Sequence, residues 1–367
     1  METLKKHNFG AGPCILPAEV MQGAAEAVIN WNGSGLSILE VSHRSPEFEL
    51  VVKQTEALVR ELLNVPSDYA VLFMQGGASG QFSMIPLNFL KRKGAYLDTG
   101  YFAIKAIKEA RYYGNVQIVG SAADENYTYI PECGPLDADV DYLHVTSNNT
   151  IEGTEHFSFP DTNVPLICDM SSDIFSRDID ISQFDLVYAG AQKNMGPAGM
   201  TLVIVKNSLL DKIEKPLPSM SDYRIFRDNN SLYNTPPVFS IYVAMLNLQW
   251  LKAQGGVPEI EKLNIKKAEM LYAEIDRNTL FKGTAKIAFR SRMNVTFKIE
   301  DAKLETEFLN FVAEKGIVGI KGYRTVGGFR ASMYNALPLS SVSALVIAMQ
   351  DFEGIHKKES VLEDSMH

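Results

Sequence analysis

The sequence is poor in the features that most quickly place a protein. Its 367 residues hold three cysteines, Cys14, Cys133 and Cys168, and two tryptophans. Three cysteines cannot build a disulfide framework, and their spacing matches no metal-ligand set, so no metal is expected. No apolar run approaches the ~20 residues needed to cross a bilayer. The opening METLKKHNFGAGP lacks the apolar stretch of a signal peptide. Positive charge is scarce too: Lys and Arg total 35 against 44 Asp and Glu, a formal net charge of −9. An acidic chain without basic runs is a poor binder of nucleic acid or anionic membrane. Catalytic signatures are missing as well. There is no Gly-Lys dipeptide, so no P-loop lysine, and no GxGxxG follows a strand. The six histidines never fall at HExxH spacing, and no GxSxG elbow occurs.

What remains is ordinary globular material, 46% hydrophobic and 22% charged. The expectation is a folded, soluble, cytoplasmic protein of about two domains. Residues 17–31 read as a helix with Val20, Ala24, Ala27 and Trp31 on one face, and 48–64 as a second with Val51, Leu58 and Leu62 inward. Seven short, continuous apolar runs follow: AVLFM, GAYLD, VQIVGS, YLHVTS, VPLICDM, DLVYAG and GMTLVIV. Such runs suit strands buried on both faces of a mostly parallel seven-stranded sheet in an α/β domain. Its ligand crevice is expected at the carboxyl ends of the strands. Two long helices are expected over 239–254 and 258–278. Past residue 280 the texture changes. MNVTFKI alternates strictly and predicts a half-exposed strand with Met293, Val295, Phe297 and Ile299 on one face. A helix, short strands at 316–322 and 328–334, and a last helix from Ser341 to about His356 complete a small α+β unit, with a fraying charged tail. The division expected is 16–265 for the large domain and 266–367 for the small one, with residues 1–15 packing on the latter.

One sparse constellation carries chemistry. LICDMSS ends an apolar run in Asp169, a carboxylate that is costly to bury unpaired. DLVYAGAQKNMGPAG places Lys193 in a Gly/Pro-rich turn at the same sheet edge. GGASG, at a strand-to-helix turn, offers free N–H groups that can cradle a phosphate. A phosphate cradle, a buried Asp and an edge Lys are the parts that pyridoxal phosphate requires. Spacing alone leaves the plainer alternative open, in which Asp169 caps a turn, Lys193 is a surface lysine and GGASG is only a turn.

The segments SHRSPEF, QGGASGQF, NNTIEG, CDMSS, YAGAQKNMGPAG, YNTPPVFSIY, RSRMNV and VGGFRASMYNA resemble, in order and over nearly the whole chain, those of the phosphoserine aminotransferase family within the class-V aminotransferases. The resemblance implies an aspartate-aminotransferase-like large domain and pyridoxal 5′-phosphate as cofactor. It implies that Lys193 is the Schiff-base lysine and Asp169 the partner of the pyridine nitrogen. Ala78 and Ser79 match backbone contacts to the cofactor phosphate, Thr150 and Gln192 match polar contacts, and Phe102 stands where family members stack a Trp on the ring. Asn234 and Thr235 match residues that reach the neighbouring subunit's cofactor, which implies a homodimer with shared active sites. Arg330 resembles the binder of the α-carboxylate. His43 and Arg44 resemble binders of the substrate's second anionic group, joined by Arg324. Two departures stand out: Tyr323-Arg324 replaces a frequent His-Arg pair, and Ala11 replaces a serine.

The activity implied is transfer of the amino group from L-glutamate to 3-phosphohydroxypyruvate in serine biosynthesis, with 4-phosphohydroxythreonine of vitamin B6 synthesis as a further candidate. A serine–pyruvate type aminotransferase is the nearest alternative. A cysteine desulfurase is disfavoured, because it needs a mobile late cysteine and all three here lie before residue 169. A non-catalytic cofactor-binding module would be expected to lose Lys193 or Asp169, and both are present.

Overall fold

The computed structural model describes residues 6–323 and 326–364. Arg324, one of the expected substrate residues, lies outside them. Most of the continuous apolar runs become strands sandwiched between two cores; the VQIVGS run does not, because Asn115–Ser121 lies at the sheet edge and only its Val119 is buried. In Tyr69–Met74 every residue is buried. Val71 and Phe73 enter a core shared with the helices Ala18–Asn30, Pro46–Leu63 and Val238–Ala253. Ala70, Leu72 and Met74 enter a second core with the helices Gly77–Phe89 and Tyr101–Ala110. The period-2 alternation of strand side chains divides one run between two apolar layers. The seven strands stand in the order 69–74, 201–206, 186–190, 166–169, 140–146, 93–98, 115–121. Thr201–Lys206 runs antiparallel to both its neighbours, and the other six strands are mutually parallel.

Local signals set the helix ends. In Pro46–Leu63, Ser45 caps the start by accepting from Phe48 N at 3.3 Å, Pro46 takes the first turn, and Asn64 closes the end at φ 49°. Its inward residues Val51, Leu58 and Leu62 are buried as the spacing predicts. Each such side chain contributes ~1.5–3 kcal/mol relative to an exposed one. No described helix is long and apolar enough to cross a membrane.

A three-stranded antiparallel sheet, Phe281–Gly283, Asn294–Ile299 and Phe329–Ser332, forms the smaller unit. Its core gathers Phe281, Phe297, Phe308, Phe329 and Phe352 with Ala268, Leu271 and Ile275. Phe9 lies in that same core, and His7–Asn8 pairs parallel with Ile317–Val318. The helix Gly256–Arg277 runs through position 265/266, so the expected division falls inside one continuous element.

Three expectations need correction. Asn294–Ile299 is not half exposed, because only Lys298 faces solvent. The polar face is buried against the larger unit: Asn148 Nδ2 donates to Asn294 Oδ1 at 2.7 Å, and Thr296 Oγ1 donates to Glu152 O at 3.0 Å. Of the strand expected over 316–322, only Ile317–Val318 forms. The last helix spans Leu339–Asp364, past the expected end at His356.

Candidate active site

Five parallel strands deliver their carboxyl ends to one edge, where a cavity of about 260 Å³ opens. Gly76 and Gly77 follow the first strand with φ of 96° and 62°, a region that glycine enters without penalty. They turn the chain directly into the helix Gly77–Phe89, which has no side-chain cap. Its first backbone bond runs from Gly80 N to Gly76 O, so the N–H groups of Gly77, Ala78 and Ser79 have no intrahelical acceptor. They line the cavity as an anion-binding helix terminus.

Asp169 is the last residue of Leu166–Asp169 and is 4% exposed. Its Oδ1 accepts from Ser171 N at 2.9 Å. Burial raises its pKa, while the Ser171 hydrogen bonds and the Lys193 charge pull it back. Lys193 is 8% exposed, and its amine donates to Ser172 Oγ at 2.7 Å and Thr150 Oγ1 at 2.8 Å. Burial lowers this amine to about 8, opposed by Asp169 and reinforced by Arg330. Phe102 faces it with a ring centroid 5.6 Å from Nζ.

Ala78, Ser79, Phe102, Thr150, Asp169, Gln192 and Lys193 therefore line one cavity, a grouping that spacing alone left open. Arg330 sits close enough to depress Lys193, and its buried Nε has no partner among the described residues, an orphaned donor suited to an anion. Tyr334 OH donates to the Ala11 carbonyl at 3.1 Å, so a backbone contact stands at the position lacking the serine hydroxyl. The Tyr323 hydroxyl donates to Tyr101 OH at 3.2 Å, beside Phe102.

Other expected residues stand apart within one chain. Arg44, whose Nε donates to His43 Nε2 at 3.3 Å, lines a separate cavity of about 430 Å³ with Tyr233. Asn234 and Thr235 do not line the Lys193 cavity, although Thr235 O accepts from Gln75 Nε2 at 3.2 Å, next to the Gly76-Gly77 turn. Sequence reasoning missed Ser171 and Ser172, which hold the carboxylate and the amine. Both lie in the quoted CDMSS segment, but nothing local reveals which serine faces which group.

The residues present fit pyridoxal phosphate: an uncapped helix terminus for phosphate, a buried carboxylate, and a buried amine whose pKa burial lowers to about 8. Comparison with known proteins agrees. The profile described as aminotransferase class-V matches residues 6–345. The chain belongs to the class-V aminotransferase family. It is 56% identical over 355 residues to the phosphoserine aminotransferase of Bacteroides thetaiotaomicron, covering 96% of this chain and all of that one. Its fold is similar to that of the phosphoserine aminotransferase from Bacillus circulans subsp. alkalophilus, with TM-score 0.94, 45% identity, and 96% and 99% of the two chains covered. It is also similar to the pyridoxal-phosphate-bound phosphoserine aminotransferase of Trichomonas vaginalis, with TM-score 0.90, 39% identity, and 94% and 100% covered.

Proposed function

We propose that the chain is a phosphoserine aminotransferase of serine biosynthesis, moving the amino group of L-glutamate to 3-phosphohydroxypyruvate to give O-phospho-L-serine and 2-oxoglutarate. The observation that carries this reading is the Lys193 amine, buried within the Asp169 cavity that faces a free helix terminus, in a chain of this family. Pyridoxal phosphate, when bound, supplies an aldehyde that takes up the amino group and a ring that accepts electrons from the substrate carbon. The N–H groups of Gly77, Ala78 and Ser79 bind its phosphate. Thr150 and Gln192 would orient it, and Phe102, which lines the same cavity, would pack against its ring. Asp169 keeps a proton on its ring nitrogen, because an opposite charge favours the charged form. Lys193 Nζ would hold the cofactor's aldehyde in the resting enzyme and, as a free amine, would carry the proton taken from the substrate Cα.

Arg330 binds the α-carboxylate in a bidentate fork. The second anionic group, phosphate or side-chain carboxylate, falls to His43 and Arg44 of a neighbouring subunit together with Arg324. Support for a homodimer comes from Arg44, which lines a cavity sharing no residue with the Lys193 cavity of the same chain. A cytoplasmic setting accords with such metabolic chemistry. A coupled assay with glutamate and 3-phosphohydroxypyruvate, run beside pyruvate and glyoxylate, tests the substrate. Preference for an unphosphorylated keto acid would overturn the assignment.

A further inference from the structure

Lys267 is fully buried on the helix Gly256–Arg277, outside the cavity and unused by the chemistry above. Its amine donates to the carbonyls of Met333 and Tyr334 at 3.0 Å each and of Leu337 at 3.3 Å. These carbonyls belong to the segment that follows Phe329–Ser332, the strand bearing Arg330. Burial pushes the amine down to about 7. Three carbonyl acceptors oppose that, since only the ammonium form has a third N–H to give.

The segment gripped by Lys267 also reaches Lys193. Asn335 N donates to Asn194 Oδ1 at 3.0 Å, and Asn194 Nδ2 donates to Ser172 O at 3.3 Å. Asn264, one turn before Lys267, donates to Asn335 Oδ1 at 2.9 Å. One helix face thus holds a turn that joins the Arg330 strand to the residue next to Lys193. An apolar side chain could have filled that space; a buried charge there needs a reason. We propose that Lys267 is a positioning residue whose ammonium, gripping the carbonyls of Met333, Tyr334 and Leu337, fixes Arg330 relative to Lys193. The titratable group facing it from the neighbouring N-terminal segment is the Cys14 thiol, whose pKa burial pushes up to about 12, so it stays neutral and donates to the Lys193 carbonyl.

The proposal rests on Arg330 as the carboxylate binder in the proposed reaction. Its test compares wild type with Lys267→Met, which removes all three donors, and Lys267→Arg, which keeps charge and donors in a different shape. Both substrates carry an α-carboxylate, so both Michaelis constants should rise together, about tenfold or more for Met and less for Arg, because small misplacements of a binding group are costly. Affinity of the cofactor-free protein for pyridoxal phosphate should stay within about threefold, since the cradle stands on the large sheet. Amide hydrogen exchange over 329–337 in the cofactor-free variants should quicken. If Met does not fold, Arg alone decides by the same split. Unchanged Michaelis constants, or a matching loss of cofactor affinity, overturn the proposal. Wild type that ignores glutamate would sink the substrate reading instead, and exchange in the cofactor-free protein would still test the grip.

Discussion

At Lys193 and Asp169 burial shifts both titrations, lowering the amine and raising the carboxyl. Lys193→Ala should abolish transamination and the pH-sensitive visible absorption of the bound cofactor, because no other amine lines the cavity among the described residues. A retained band would name another lysine. Asp169→Asn should still bind cofactor yet slow both half-reactions by about 10²-fold or more, read by single-turnover kinetics, since an amide cannot hold the ring proton. The Lys193 amine, lowered to about 8, predicts that cofactor uptake by the cofactor-free protein rises with pH and levels off above that value. The sign for stability follows from linkage. Between about 8 and the unfolded value of about 10.4, the unfolded chain holds more protons than the folded one, so this lysine favours the folded state increasingly as pH rises. Lys193→Met should therefore raise the melting temperature of the cofactor-free protein at pH 7, and by less at pH 10.

Elements act through their ends and their faces. The turn into Gly77–Phe89 works because Gly76 and Gly77 sit at positive φ with no side chain over the free N–H groups. Gly77→Val should strain that turn and weaken cofactor binding at least about tenfold by equilibrium titration, since a β-branched residue at positive φ is an outlier. The strand Asn294–Ile299 shows what its pattern conceals. Alternation identified its apolar face, and the polar face looked like solvent until Asn148 and Glu152 proved to cover it. Thr296→Val should leave the Glu152 carbonyl without this donor and cost about 1–3 kcal/mol in denaturant unfolding.

Across the whole molecule, the separation of Arg44 from Lys193 within one chain predicts shared sites between two. Arg44→Ala and Lys193→Ala should each be inactive alone. When subunits are mixed and exchanged, half the dimers become heterodimers with one intact site, so about a quarter of wild-type activity should return. No recovery after exchange confirmed by mass would mean that each site is complete within its own chain. The acidic net charge of −9 gives anionic substrates no general attraction, leaving recognition to local arginines such as Arg330.

The α/β class and the seven strands were legible in the sequence, because strands buried on both faces must be apolar throughout and helices must repeat near 3.6 residues. The placement of Asp169 at a strand end and of Lys193 in the turn after the next strand was legible too, since apolar runs mark where a strand stops. The chemistry of that edge came from motif resemblance, and its assembly into one cavity came only from the fold. Ser172 beside the Lys193 amine, the orphaned Arg330 donor and the three carbonyls on Lys267 depend on strand order and on how the smaller unit docks. Such contacts join residues more than twenty positions apart, and no local pattern encodes which polar group in one segment will meet which in another. Local periodicity decides which face of an element is apolar; only the packed whole decides what a buried polar face touches.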